Sequence, residues 1–242
     1  MKRRHVAIVV GTLLILTGAR PAAAEWLVDL YAGGAFTENA KLTIEGRTAA
    51  GSTRGTQELR VDPSAEFGAR IGRWFDSAKW LGIAVDAFHF EPNISAQQAS
   101  ALTDTGLVAG ARLQPIDVSV TALALDLMFR VPGILGTSDI PQGRLQPYVT
   151  AGAAGFVVEV TDTTNFAPAR QSGVGVFPGL KLGGGLAWQF HKNVALFAEY
   201  RFTHFHASFE DASFRIASTR AKASGDVDIN THHAVGGLSI RF

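Results

Sequence analysis

The sequence predicts an all-β chain, an eight-stranded antiparallel transmembrane β-barrel. Three observations carry that expectation. Eight segments alternate apolar with small or polar residues, most of them near the roughly 9–11 residues that a tilted membrane strand needs. Their connections alternate long and short, as outer-membrane barrels combine long outer loops with short periplasmic turns. In most of the strands one face is greasy, while the other mixes glycine and alanine with only one or two charges. A soluble barrel would turn a more heavily charged face to water. No long uninterrupted apolar run follows Ala24, which excludes a helical membrane protein. There are no cysteines, so an exported chain must draw its stability from a large core or from barrel closure.

Residues 1–24 read as a secretory signal peptide. Lys2, Arg3 and Arg4 form a basic start, 6–18 is an apolar segment too short to span a bilayer, and Ala22 and Ala24 offer an Ala-x-Ala cleavage site. The barrel domain is then 25–242. Without Lys2, Arg3, Arg4 and Arg20, 18 of the 22 basic residues remain against 21 acidic ones, a net charge of −3. That balance lacks the basic stripe a nucleic-acid partner requires.

The predicted strands are 26–36, 66–75, 80–90, 118–131, 148–160, 178–190, 194–205 and 227–242. Long polar loops are expected at 37–65, 91–117, 161–177 and 206–226, and short connections at 76–79, 132–147 and 191–193. The nine prolines are expected outside strand cores, because proline cannot donate a ladder hydrogen bond. Strand 118–131 sets Leu123, Leu125, Leu127, Phe129 and Val131 against Ala122, Ala124, Asp126, Met128 and Arg130. Strand 178–190 sets Leu180, Leu182, Leu186 and Trp188 against Lys181, Gly183, Gly185 and Gln189. Strand 148–160 is small and apolar on both faces. Trp26, Trp74, Trp80 and Trp188 all fall at the predicted periplasmic end, where an aromatic belt forms. Trp74 and Trp80 have inward parity and read as plugs at the barrel mouth.

The inward faces collect Asp29, Glu66, Asp86, Asp126 and Glu199, and also Arg70, Arg130, Lys181, Arg201 and Arg241. Eight strands enclose just enough space for side chains, and charges buried there must pair. The balanced set predicts a closed ion-pair network, with Glu199 and Arg201 facing Arg241. A channel selective for one ion would instead need a ring of one sign.

Four stretches, "GARIGRWF", "RLQPYVTAGAAGF", "LKLGGGLAWQFHKNVALFAEYRFTHF" and "HHAVGGLSIRF", resemble the OmpA-like, OmpW-like and OmpX-like eight-stranded outer-membrane barrels of Gram-negative bacteria. The resemblance implies a bacterial outer-membrane location, both termini in the periplasm, and contact with outer-membrane lipid and lipopolysaccharide. It also implies delivery by the barrel-assembly machinery, a monomer, no cofactor and no enzymatic activity. The peptidoglycan-binding domain of longer OmpA-like proteins has no counterpart, so no cell-wall tether is expected. The function implied is structural or surface-interacting, through the outer loops. A narrow pore for small, hydrophobic solutes is one alternative, as suggested for OmpW-like relatives. A lipid A-modifying hydrolase is another.

The hydrolase alternative rests on "THFHASFE", where His206, Ser208 and Glu210 resemble the residues of outer-membrane lipid A deacylases. Phe209 stands where that family continues with Asn-Ala, and Glu210 is only two residues beyond the serine. His89, His204, His206, His232 and His233 gather toward the outer rim. A metal would need three or four ligands at bonding distance, and adjacent residues of a strand such as His232 and His233 point to opposite faces. No metal site is assigned. In the tail, Ala234, Gly236, Leu238, Ile240 and Phe242 take the lipid side, and Ser239 and Arg241 the lumen. Leu238, Ile240 and Phe242 resemble the C-terminal signal read by the barrel-assembly machinery.

Overall fold

The structure is a computed structural model that describes residues 25–48, 51–103, 106–113, 115–162, 172–216 and 219–242. The signal-peptide expectation concerns 1–24 and lies outside them. The described residues form twelve strands and no helix. These are β1 (Trp26–Thr37), β2 (Ala40–Thr48), β3 (Gly51–Leu59), β4 (Ser64–Trp74), β5 (Leu81–Phe90) and β6 (Gln97–Thr103). They continue with β7 (Gly106–Leu113), β8 (Ile116–Arg130), β9 (Leu145–Asp162), β10 (Ser172–His191), β11 (Val194–Ile216) and β12 (Thr219–Arg241). Eight of them run antiparallel in the order β1-β4-β5-β8-β9-β10-β11-β12, and β12 pairs back onto β1. That seam runs from Leu27↔Arg241 to Thr37↔Thr231, so the barrel has no free edge within it.

The alternation of the sequence becomes an inside and an outside. On β8, Leu123, Leu125 and Leu127 are 50–64% exposed, whereas Ala124, Asp126 and Met128 are 1% exposed. Leucines outside and aspartates inside invert the usual order of a soluble protein. The inversion is what a hydrocarbon surrounding demands.

Several elements differ from the sequence expectation. The expected loops 37–65 and 91–117 contain the β2–β3 and β6–β7 hairpins. The β2–β3 hairpin pairs onto β12 from Ala223↔Gly46 to Asp226↔Thr43 and prolongs the wall outward. β9 to β12 also run well past the predicted ends. Outside the membrane both faces of a strand are wet, so the apolar alternation that marks a membrane strand fades while the ladder continues.

Pro147 and Pro178 sit inside β9 and β10, not at strand ends. Each is tolerated because it leaves one ladder. Pro178 pairs Gly155 of β9, and pairing with β11 starts only at Gly179↔Phe205. Pro147 takes part through its carbonyl, which accepts from Val131 N–H at 3.0 Å. Trp80 points outward, 51% exposed and stacked on Phe129 at 6.0 Å. It belongs to the turn before β5, where strand parity no longer holds. Trp74 does face inward and is buried.

The connections at one end are tight. Lys192 and Asn193 alone join β10 to β11, and Asn193 Nδ2 donates to Arg241 O at 2.7 Å. The longer 131–144 connection bonds to itself, with Gly133 N–H donating to Gln142 O at 2.7 Å. Gly143 has φ +96°, and a Cβ there would lie 2.5 Å from Ile134 O. Only glycine meets both demands.

Candidate functional site in the barrel lumen

The lumen is filled in three strata. All ten charged residues with predicted inward faces are buried inside it, none more than 5% exposed. They do not form one network but two.

The central stratum is built around Arg70 and Arg201. Arg70 on β4 donates from Nη2 to both Glu199 oxygens at 2.7 and 2.8 Å, and faces Asp29 at 3.5 Å and Asp86 at 3.4 Å. Arg201 on β11 donates to Glu199 Oε1 at 3.0 Å, Glu66 Oε1 at 3.1 Å and Tyr31 Oη at 2.9 Å. Lys181 on β10 joins Asp86 to Asp126, lying 2.5 Å from Asp126 Oδ2. Tyr31 Oη donates to Asp86 Oδ1 at 2.6 Å, and Tyr148 Oη to Glu199 Oε2 at 2.8 Å. His233 closes the stratum, with Nδ1 2.5 Å from Glu66 Oε2 and Nε2 2.9 Å from Thr203 Oγ1. Charges taken from water into so narrow a space persist only when paired and hydrogen-bonded in this way.

The stratum at the end with the tight turns holds the remaining two predicted cations. Arg130 meets Glu25 at 2.7 Å and lies 4.3 Å over the Trp74 ring. Arg241 donates to Gln146 at 2.6 Å and to Gln189 and Glu25 at 3.1 Å each. Arg241 is therefore not a partner of Glu199 and Arg201. Val194 pairs Ile240 at the base of the β11–β12 ladder, whereas Arg201 pairs His233 seven residues further along β11. Between the two strata a cavity of about 20 Å³, lined by Asp29, Arg70, Trp74, Arg130, Tyr148 and Arg241, has room for about one water.

The outer stratum is apolar. Phe88, Phe90, Val120, Phe156, Val158 and Phe205 are buried there, and Phe156 stacks on Phe205 at 4.4 Å. Phe88 and Phe90 set their rings nearly perpendicular to His233, at 5.8 and 5.2 Å. Parity carried the signal for this stratum, since Phe88 and Phe90 keep step with Asp86. Parity likewise carried Tyr31 in step with Asp29, and His233 in step with Arg241. Reading charges alone missed them, and Glu25 was missed because it borders the expected cleavage site.

The rim histidines are separated, each with its own partner. His89 contacts Thr121 at 3.0 Å, His204 contacts Asn230 at 2.7 Å, and His206 contacts Asp228 at 2.8 Å. His232 lies between Tyr200 Oη at 2.6 Å and Glu38 Oε1 at 3.1 Å. The hydrogen bond to His232, then that from Asn230, holds the exposed Glu38 carboxyl below the usual carboxylate range. Among the described residues no three metal-ligating groups converge. Ser208 is exposed on β11, and the side chain of Glu210 lies outside the described residues. Leu238, Ile240 and Phe242 are 47–65% exposed on the outer face. Phe242 N–H donates to Trp26 O at 3.1 Å, and Trp26 N–H to Phe242 O at 2.9 Å.

No family model and no curated protein sequence matches the chain. Solved structures resemble it in shape. The outer membrane protein OprG from Pseudomonas aeruginosa is 16% identical, with 91% of this chain and 97% of that chain covered at a TM-score of 0.58. Neisserial surface protein A is 13% identical over 90% of this chain and 97% of that one, at a TM-score of 0.48. The outer membrane protease OmpT from Escherichia coli is 8% identical over 94% and 99%, at 0.46. The likeness to OprG shows the fold, a closed barrel of the outer-membrane kind.

Proposed function

We propose that the chain is a bacterial outer-membrane barrel that does not conduct ions and serves as a scaffold for the β-structure it carries outside the bilayer. One observation carries this reading: the lumen is crossed by a charged stratum in which each of the five carboxylates meets a cation, and it is roofed by buried phenylalanines. An ion would have to displace Arg70 or Arg201 from several carboxylates and then cross an apolar layer. The working surface is then the β2–β3 and β6–β7 hairpins and the outer ends of β9 to β12. The reading is of a monomer, without cofactor and not an enzyme, in contact with outer-membrane lipid and lipopolysaccharide. Leu238, Ile240 and Phe242 act as its address for the barrel-assembly machinery. Planar-bilayer recording of the purified chain tests it. No discrete current is expected, and unitary channel openings would overturn it.

A second reading has its own support. The outer stratum is apolar, and residues 172–178 of β10 pair only with β9, so the β10–β11 ladder stops at Gly179↔Phe205. A small hydrophobic solute could be held there, as the OmpW-like alternative requires. Saturable binding of a fluorescent apolar probe, weakened in Phe156→Asp, would favour it over the plain scaffold. The hydrolase alternative has less: His206 has Asp228 at 2.8 Å, a pairing that holds an imidazole without presenting a nucleophile. Lipid A from expressing cells should keep all its acyl chains in mass spectra.

A further inference from the structure

Lys181 is a primary amine with no exposure, enclosed with two carboxylates that are not equivalent. Asp126 on β8 and Lys181 on β10 both stand in register with Gly152 on β9 between them. Neighbouring strands are about 4.8 Å apart, so the two side chains meet above the glycine. A Cβ on Gly152 would lie 2.2 Å from Asp126 Oδ1, so the missing side chain makes this meeting possible. Lys181 Nζ lies 2.5 Å from Asp126 Oδ2 and also contacts Asp86 Oδ2.

Asp86 is anchored. It accepts from Tyr31 Oη at 2.6 Å and faces Arg70 at 3.4 Å and Arg201 at 3.6 Å. Two guanidiniums and a phenol fix it in place beside the Lys181 amine. Asp126 is not anchored: its Oδ1 is buried with no hydrogen-bond partner, and its salt bridge among the described residues is to Lys181. It can lose an oxygen without breaking any other contact. Phe88 lies over the group, its ring 5.9 Å from Lys181 Nζ, and bulk water is excluded from all three residues.

We propose that Lys181 and Asp126 condense to an isopeptide bond, with Asp86 as a positioning residue that holds the amine against the Asp126 carboxyl group. The Lys181 ammonium passes a proton directly to Asp126 Oδ2, 2.5 Å away, leaving a neutral amine against a neutral carboxyl group. The Nζ lone pair attacks Asp126 Cγ, and a C–N bond forms. A second amine proton passes to the departing oxygen, the C–O bond breaks, and water leaves. One ammonium and one carboxylate become one amide and one water, with no change of oxidation state. Burial favours the product, because two costly charges vanish. The bond is a covalent strut that ties β8 to β10 across β9.

Mass spectrometry of the full chain, purified folded from membranes, tests this directly. The intact mass should fall short of the unlinked chain by one water. Digestion of the denatured protein should give a branched peptide joining the segments that carry Asp126 and Lys181, with no tryptic cut after Lys181. After boiling, the linked chain should migrate faster than Asp126→Ala, because a closed loop is more compact. Asp86→Asn keeps both reacting groups and should stay unlinked. Wild-type protein at full mass, or a water lost elsewhere in the peptide map, overturns the proposal. A linked Asp86→Asn chain overturns the role of Asp86. The wild-type reading decides the bond even if a variant fails to fold.

Discussion

Arg70 reaches carboxylates on three other strands, Asp29 on β1, Asp86 on β5 and Glu199 on β11. Replacing it with methionine fills similar volume but leaves three buried acids short of a cation. Breaking a buried pair in this way costs about 3–5 kcal/mol. Urea unfolding of Arg70→Met in lipid vesicles should show a loss of that order. The rim behaves differently. His206 and Asp228 are more than half exposed, and screening reduces such a pair to about 0–1 kcal/mol. His206→Ala should therefore leave the urea midpoint almost unchanged. At Glu38 the hydrogen bond to His232 lowers the carboxyl pKa in the folded chain. The contact then contributes above the ordinary carboxyl range and is lost as pH falls through the lowered value. A carbon-13 titration should move the Glu38 midpoint upward in His232→Ala, and an unmoved midpoint would separate the two residues.

Strands meet closely here because glycines stand opposite large inward side chains. Gly68 on β4 pairs Tyr31 on β1, and a Cβ on Gly68 would come 2.4 Å from Tyr31 Oη and 2.7 Å from Ala87 O. Gly68→Ala forces Tyr31 off Asp86 and Arg201 and should cost about 1–3 kcal/mol as overpacking. A heat-modified gel band that melts at lower temperature would report it. Within the membrane these elements were legible because each strand must satisfy two environments at once. Leu123, Leu125 and Leu127 against Ala124 and Asp126 leave a single reading. Beyond it the same ladder carries "TRAKASGD", where neither face is apolar and no alternation remains to be read. That is why the outer length of β12 escaped. Arg241 escaped for another reason: parity gives the face of a residue but not its height, and height decided which charges meet. At the end of β12, Phe242 and Trp26 exchange both backbone hydrogen bonds. Deleting Phe242 removes that closing pair and the aromatic of the assembly signal, so a smaller heat-modifiable fraction should reach the membrane.

The whole molecule is a closed barrel with a sheet built onto its outer end, and the two parts differ in what holds them. The barrel closes through β1 and β12 from Leu27↔Arg241 to Thr37↔Thr231, while the β2–β3 hairpin meets β12 only between Ala223 and Asp226. Both charged strata lie on barrel strands, apart from Glu25 at the entry of β1 and the turn carbonyls. Ala40 and Leu59, which pair at the base of the hairpin, are the buried residues that tie it to the apolar stratum. Replacing 41–58 with an Asn-Gly turn keeps that pair and suits a tight hairpin. The shortened chain should fold to the same heat-modifiable barrel with the same urea midpoint. It should lose only whatever binding the outer sheet provides, measured as adhesion of expressing cells to a surface that binds the full-length chain. A barrel that no longer forms would mean that the outer sheet nucleates or holds the membrane part. The scaffold and its display surface would then be one cooperative unit.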